Sequence, residues 1–207
     1  MTTLLLTGYE PFGEYETNPT SRLVEALDGT KTGEATVVGR ELPVVFDDAL
    51  PALRGYLEEH EPVAVLSTGL MPGRAVLTVE RVGINVRDYD GVPDNTGAEP
   101  VDQPVDLEGP DAYFATLPVR ELVEELQAVG VPARISNTAG THLCNNILYA
   151  TRHHIETNGL SIRSGFVHTP FSHEQVARRG TDDPSMQFET MRTGIETMLR
   201  YLATTHE

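Results

Sequence analysis

A single cysteine, Cys144, stands in the run Ser136-Asn137-Thr138-Ala139-Gly140-Thr141-His142-Leu143-Cys144-Asn145-Asn146. The run passes from a strand-like stretch through a turn of small residues into a helical pattern, so Cys144 falls in the first turn of a helix. Unpaired backbone N–H groups and the positive end of the helix dipole favour a thiolate there over a thiol. The same N–H groups suit the oxyanion that forms when a carbonyl is attacked. A lone free cysteine is also commonly a small, inert, buried apolar residue, and the helix position by itself leaves both readings open. With one cysteine no intramolecular disulfide forms, and a zinc site built of cysteines is excluded.

A thiol hydrolase also needs a base, and the chain has seven histidines. His60 and His206 read as exposed helix-end or terminal residues, and His153 and His154 as surface positions a few turns into a helix. His142 lies on the same helical entry as Cys144 and is poorly placed to face it. His168 ends the buried run Gly165-Phe166-Val167, and ligands of open α/β sheets bind beside the carboxyl ends of strands. His168 is therefore the candidate base, with His173 in the following loop as the second choice. A carboxylate should hold that imidazole in the right tautomer and stabilise its charged form. Glu80 sits between Val76-Leu77-Thr78-Val79 and Val82-Gly83-Ile84, and an acid amid apolar neighbours needs a partner. Spacing alone does not decide between the imidazole and an ion pair with Arg74 or Arg81.

The elements that must position these residues are legible from periodicity. Thr3 to Gly8 reads as a buried strand, Thr20 or Ser21 to Leu27 as a helix ended by Asp28-Gly29, and Ala35 to Leu42 as an alternating strand. Phe46 to His60 is helical despite Pro51, through Ala49, Leu50, Leu53 and Leu57. Pro62 to Ser67 is a buried strand closing at Gly69, and Val76 to Val86 holds one or two strands. Arg87 to Ala112 is rich in Asp, Gly and Pro and without period, the mark of a long functional or flexible loop. A helix over Val119 to Gly130, a strand over Ala133 to Ser136 and a helix from His142 to Asn158 follow. A last core strand over Gly165 to His168 and a final helix over Met186 to Thr205 complete the pattern. Strands and helices alternate, there is no repeat and no linker, and the expectation is one α/β domain over residues 1–207. Its mixed, mostly parallel sheet lies between helices in a three-layer α/β/α arrangement.

Composition narrows the function. Thirty-one acidic residues face fifteen basic ones, for a formal net charge of −16, and Lys31 is the only lysine. Such a surface repels phosphates, so nucleic acid is not expected as a partner. Dense carboxylates are tolerable where salt shortens their repulsion to a few ångströms, so adaptation to high salt is favoured over chance lysine depletion in an acidic soluble protein. No apolar stretch approaches the roughly 20 residues a membrane span needs. The N-terminus lacks a basic leader and a long apolar run, which gives a cytoplasmic protein as the expectation.

Several segments together resemble pyroglutamyl peptidase I, the pyrrolidone-carboxylate peptidases of the cysteine peptidase class. They are Thr7-Gly8-Tyr9-Glu10-Pro11-Phe12-Gly13 with Asn18-Pro19, and Glu80 to Val86 followed by Pro93-Asp94-Asn95. Ala139-Gly140-Thr141 through Cys144-Asn145, and Gly165 to His168 with Pro170-Phe171, complete the set. The resemblance keeps order and spacing over nearly the whole chain. It implies release of N-terminal pyroglutamate from peptides through a thioester acyl-enzyme. Cys144 would then be the nucleophile, His168 the base and Glu80 the residue orienting it. It further implies that Tyr9 and Phe12 enclose the lactam ring, that Asn18 holds the loop or the substrate, that no metal or cofactor is used, and that the enzyme is a cytoplasmic homotetramer.

Three positions depart from the family pattern. Leu70 replaces a glutamine after Gly69, Gly91 (after Asp90) stands where an arginine linked to the oxyanion site is usual, and His142 replaces an aromatic residue. Arg87 is the substitute at hand for the missing arginine. A lost oxyanion donor costs about a hundredfold in rate, so specificity and efficiency are the properties these changes touch. The competing readings are a thiol amidase or peptidase for another small acyl group, and a non-catalytic binding relative.

Overall fold

The computed structural model describes residues 2–89 and 91–204. Apolar runs and amphipathic stretches alternate in it as β1 (Thr2–Tyr9), α1 (Pro19–Leu27), β2 (Lys31–Thr32), β3 (Ala35–Leu42), α2 (Phe46–His60) and β4 (Ala64–Leu70). There follow β5 (Leu77–Glu80), β6 (Val82–Ile84), β7 (Ala112–Phe114), α3 (Val119–Ala128), β8 (Ala133–Ser136) and α4 (Leu143–Thr157). The last elements are β9 (Arg163–Thr169), β10 (Phe171–Ser172), α5 (His173–Arg179), β11 (Ser185–Met186) and α6 (Phe188–Thr204).

Seven strands form one sheet in the order β2-β3-β1-β4-β9-β5-β8. β3, β1, β4 and β9 run parallel, whereas β5 opposes β9 and carries β8 alongside it in its own direction. The sheet is mixed and mostly parallel, as expected. Because side chains alternate across a strand, Leu4 and Leu6 enter one core and Leu5 and Tyr9 the other. The first core is closed by α1, α3 and α6 through residues such as Leu23, Leu122 and Met198. The second is closed by α2 and α4 through Leu53 and Ile147. Burial on both faces explains why β4 reads as a continuous apolar run without alternation.

Differences from the sequence reading lie in short elements and ends. β2, β7, β10, β11 and α5 were not expected. Met186 belongs to β11, where it pairs with Ser172, so the final helix starts two residues later, at Phe188. Its expected end at Thr205, together with His206 and Asp90, lies outside the described residues. Among the described residues, those after Arg87 are irregular apart from an Arg87–Gln103 bridge, until β7 begins at Ala112 and pairs with β6. His60, expected to be exposed, keeps only 15% of its side chain accessible.

Candidate active site

The nucleophile candidate is set by the start of α4. Gly140 supplies a left-handed turn, φ 76°, which reverses the chain after β8 at no Cβ cost. His142 is the N-cap but makes no side-chain cap bond. The first intrahelical bond runs from the Asn146 N–H to the His142 carbonyl. The N–H groups of Leu143, Cys144 and Asn145 are therefore left without intrahelical acceptors, beside the thiol. Asn145, whose importance the sequence reading missed, fixes the helix laterally. Its Oδ1 accepts from the Ile84 N–H (2.9 Å), and its Nδ2 donates to the carbonyls of Ile84 and Val86 (2.9 and 3.0 Å).

His168 and Glu80 come from β9 and β5. In that antiparallel pair Thr78 faces His168 and Glu80 faces Phe166, so the alternating side chains of all four leave one face of the sheet. His168 Nδ1 and Glu80 Oε1 are 2.8 Å apart, and both side chains are fully buried. The same Oε1 accepts from Thr78 Oγ1 and from Arg74, each at 3.1 Å, and Arg74 also donates to Thr78. The imidazole and Arg74 thus both claim Glu80, while Arg81 turns away to Asn137. The alternatives that spacing left open are both realised on one oxygen.

Cys144 meets this face through β4. Gly69 pairs with His168 in the parallel β4–β9 ladder, so their substituents project to the same side, about 4.8 Å apart. A Cβ at Gly69 would lie only 2.8 Å from Cys144 Sγ and 2.8 Å from Phe166 Cζ. The thiol is seated over Gly69, the β4 residue in register with His168. His168 Nε2, the nitrogen not engaged by Glu80, is buried without a partner among the described residues.

Burial dominates the protonation of both groups. It pushes the Cys144 thiol up to about 12, with the Glu80 charge adding to the rise, while the local backbone N–H and Arg74 act the other way. Burial also lowers His168, against the raising effect of its bond to Glu80, and Arg74 assists the lowering. Both directions favour a neutral thiol and a neutral imidazole at rest. Desolvation and the buried carboxylate thus act against the thiolate expected from the helix terminus alone, although the thiol itself is only half-buried in the cleft wall.

Above the thiol opens a cleft of about 680 Å³ whose walls include Tyr9, Phe12, Asn18, Leu70, Tyr89 and His142. Each of these except Tyr89 was expected at the site. Tyr9 is pinned by its hydroxyl to the Leu143 carbonyl (3.0 Å). Asn18 donates to the Glu10 carbonyl and accepts from Thr20, so its contacts hold the loop. That loop is gripped from below by α5. Gln175 donates to the Thr17 carbonyl (2.8 Å), and Arg179 sits over Tyr15 and Phe171 (4.9 Å to each ring). His142 stacks on Tyr89, ring centroids 3.9 Å apart, and its Nε2 contacts the Val92 carbonyl at 3.2 Å. Gly91 lies in the cleft wall with φ 74°. Arg87, the expected substitute for the missing arginine, is not in the wall: it stacks on Phe46 at 3.4 Å and donates to the Val105 carbonyl. Asp94 and Asn95 fasten the neighbouring loop. Asp94 accepts from the N–H groups of Phe46, Thr96 and Ala98, and Asn95 bonds Glu10 and the Pro11 carbonyl. Among the described residues no group of three or more His, Cys, Asp or Glu side chains is placed to hold a metal.

A cysteine at a helix start, in the wall of a largely apolar cleft and on the sheet face that carries a buried His–Glu pair, is an arrangement suited to a thiol hydrolase. The chain belongs to the pyroglutamyl peptidase family, whose model matches residues 2–203. It is 43% identical over 198 residues to a pyrrolidone-carboxylate peptidase of Cupriavidus taiwanensis, covering 95% of this chain and 91% of that one. It is 42% identical over 206 residues to the enzyme of that name from Pyrococcus furiosus, covering 96% and 99%. The solved pyrrolidone carboxyl peptidase of P. furiosus superimposes over all of both chains with a TM-score of 0.96 at 39% identity. That of Thermococcus litoralis gives 0.93 at 39% identity, over 99% of this chain and 96% of that one.

Proposed function

We propose that this chain, acting as one catalytic domain, removes N-terminal pyroglutamyl residues from peptides with Cys144, His168 and Glu80 as its catalytic group. The observation that carries the reading is the buried Glu80–His168 hydrogen bond, 2.8 Å long, on the sheet face that seats the Cys144 thiol. Cys144 Sγ attacks the pyroglutamyl carbonyl carbon and its proton passes to His168 Nε2. The oxyanion is held by the free N–H groups at the start of α4. Collapse expels the peptide amine, which takes the proton from His168 and leaves a thioester. Water, giving its proton to the same nitrogen, then attacks the thioester carbonyl; the C–S bond breaks, pyroglutamate leaves and the Cys144 sulfur takes the proton back from His168. Glu80 fixes the tautomer and balances the imidazolium that forms in each step.

Tyr9 and Phe12 supply apolar walls for the lactam. A thiol that must stay reduced suits the cytoplasm. Exposed Val92, Val101, Leu107 and Phe114, close in sequence along the 87–114 stretch, suit a homo-oligomer such as a tetramer. The apolar Leu70 in the cleft favours a second reading, hydrolysis of another small acyl group. The test is hydrolysis of a fluorogenic pyroglutamyl amide by wild type and Cys144→Ser, with and without molar salt. Release that disappears in the variant supports the proposal. Folded protein that releases nothing at any salt refutes it and leaves the other acyl group to be sought.

A further inference from the structure

We propose that Arg74 is a fourth, positioning member of the catalytic group, holding the Glu80 carboxylate against His168 and tying the substrate-cleft loop to it. Glu80 is fully buried, and its Oε1 receives three donors, from His168, Thr78 and Arg74, while its Oε2 has none among the described residues. Among the described residues, Arg74 is the cation within ion-pairing distance of that carboxylate other than the imidazole itself. A buried carboxylate without a full counter-charge is strongly disfavoured. At rest His168 is held toward its neutral form, so Arg74 is the group that balances Glu80 before a proton arrives. When the imidazolium forms, Glu80 is already charged and aimed at Nδ1, and no rearrangement is needed.

Arg74 also anchors the loop joining β4 and β5. Leu70, Met71 and Pro72 line the cleft, and two residues further on Arg74 reaches down to Thr78 and Glu80. The backbone of Met71 is held by the Thr169 carbonyl, one residue past His168. Arg74 therefore pins the far end of a segment whose near end lines the substrate cleft. The groups whose charges bear on one another here are Arg74, Glu80, His168 and Cys144, with the phenols of Tyr9 and Tyr89 on the cleft walls.

This inference rests on the proposed peptidase reading, and one of its readouts does not. Wild type, Arg74→Met, Arg74→Lys, Glu80→Gln and Arg74→Met/Glu80→Gln are compared for turnover of a pyroglutamyl amide over pH. Arg74→Met is expected to lower kcat/KM about a hundredfold. Its acid limb should move up by about one pH unit, because a positive neighbour of His168 is lost. Arg74→Lys, which keeps the charge but not the planar guanidinium whose Nη1 donates to both Thr78 and Glu80, should keep the wild-type acid limb with a smaller loss. In the Glu80→Gln background, removing Arg74 should cost less than about twofold more, since its effect runs through Glu80. Independently of substrate, the low-field proton NMR signal of His168 Nδ1–H should be present in wild type and shifted in Arg74→Met. An active wild type with an equally active Arg74→Met overturns the inference, as does a full Arg74 effect in the Glu80→Gln background. An unmoved Nδ1 proton overturns it even where no substrate is turned over.

Discussion

Replacing Gly69 by alanine adds one methyl group at the point where three parts of the site meet. That methyl carbon would stand 2.8 Å from Cys144 Sγ and 2.8 Å from Phe166 Cζ, against ordinary contacts of about 3.5–4.0 Å. The overlap is about 1 Å on each side. Phe166 is fully buried and Gly69 is locked by the β4–β9 ladder, so the thiol is the group most able to yield. Overpacking of this kind costs about 1–3 kcal/mol, partly offset by the gain of about 0.5–1 kcal/mol for alanine over glycine in a strand. Net destabilisation of about 1–2 kcal/mol is expected. Displacing Sγ by about 1 Å from its line to substrate should lower kcat/KM about a hundredfold. Urea unfolding, with midpoint and slope fitted together, and hydrolysis of a pyroglutamyl amide measure the two effects separately. A Gly69→Ala protein as stable as wild type and within threefold of its activity would refute the seating of the thiol over Gly69.

Three further outcomes are expected. With the thiol raised and His168 lowered, alkylation of Cys144 by iodoacetamide should climb steadily with pH through 9, whereas a plateau at mildly acidic pH would mean a preformed ion pair. Asp94 is drawn down to about 2, burial opposing and the N–H groups of Phe46, Ala98 and Thr96 prevailing. Its contribution of about 2 kcal/mol is therefore present above pH 4 and lost as pH falls through 2, and Asp94→Asn should flatten that part of the acid unfolding curve. Tyr89 has a buried hydroxyl with no partner among the described residues, so Tyr89→Phe, which keeps the stacking on His142, should stabilise the protein by about 1 kcal/mol in chemical denaturation.

The parts of the fold and site that were legible in the sequence are those that depend on local chemistry. The helix over Phe46–His60 and the strand over Ala35–Leu42 have the expected bounds, because periodicity and turn residues mark them. Cys144 in the first turn of a helix was also a local inference. What pairs with what was not legible, since strand order is a long-range property. Nothing in Leu77–Glu80 reveals that β5 runs against β9, yet that reversal is what brings Glu80 to His168. The two claims on Glu80 could not be weighed from spacing, because both are satisfied at once. Arg87 was expected at the cleft by proximity in sequence, and the bridge to Gln103 turns that segment so that its guanidinium finds Phe46. One missed element did carry a signal. Ser172-His173-Glu174-Gln175 forms a capping box at the start of α5, a pattern readable from Ser followed three residues later by Gln. The thiolate expectation counted helix-terminus electrostatics and left out desolvation, which acts the other way.

The most direct test of the central claim is intact-mass analysis of the protein quenched in acid during turnover of a pyroglutamyl amide, followed by peptide mapping. One added pyroglutamyl group, lost on mild alkali, is expected on the peptide containing Cys144, with neither adduct nor release in Cys144→Ala. Release that persists in Cys144→Ala, or an acyl group carried on any other residue, would contradict that claim.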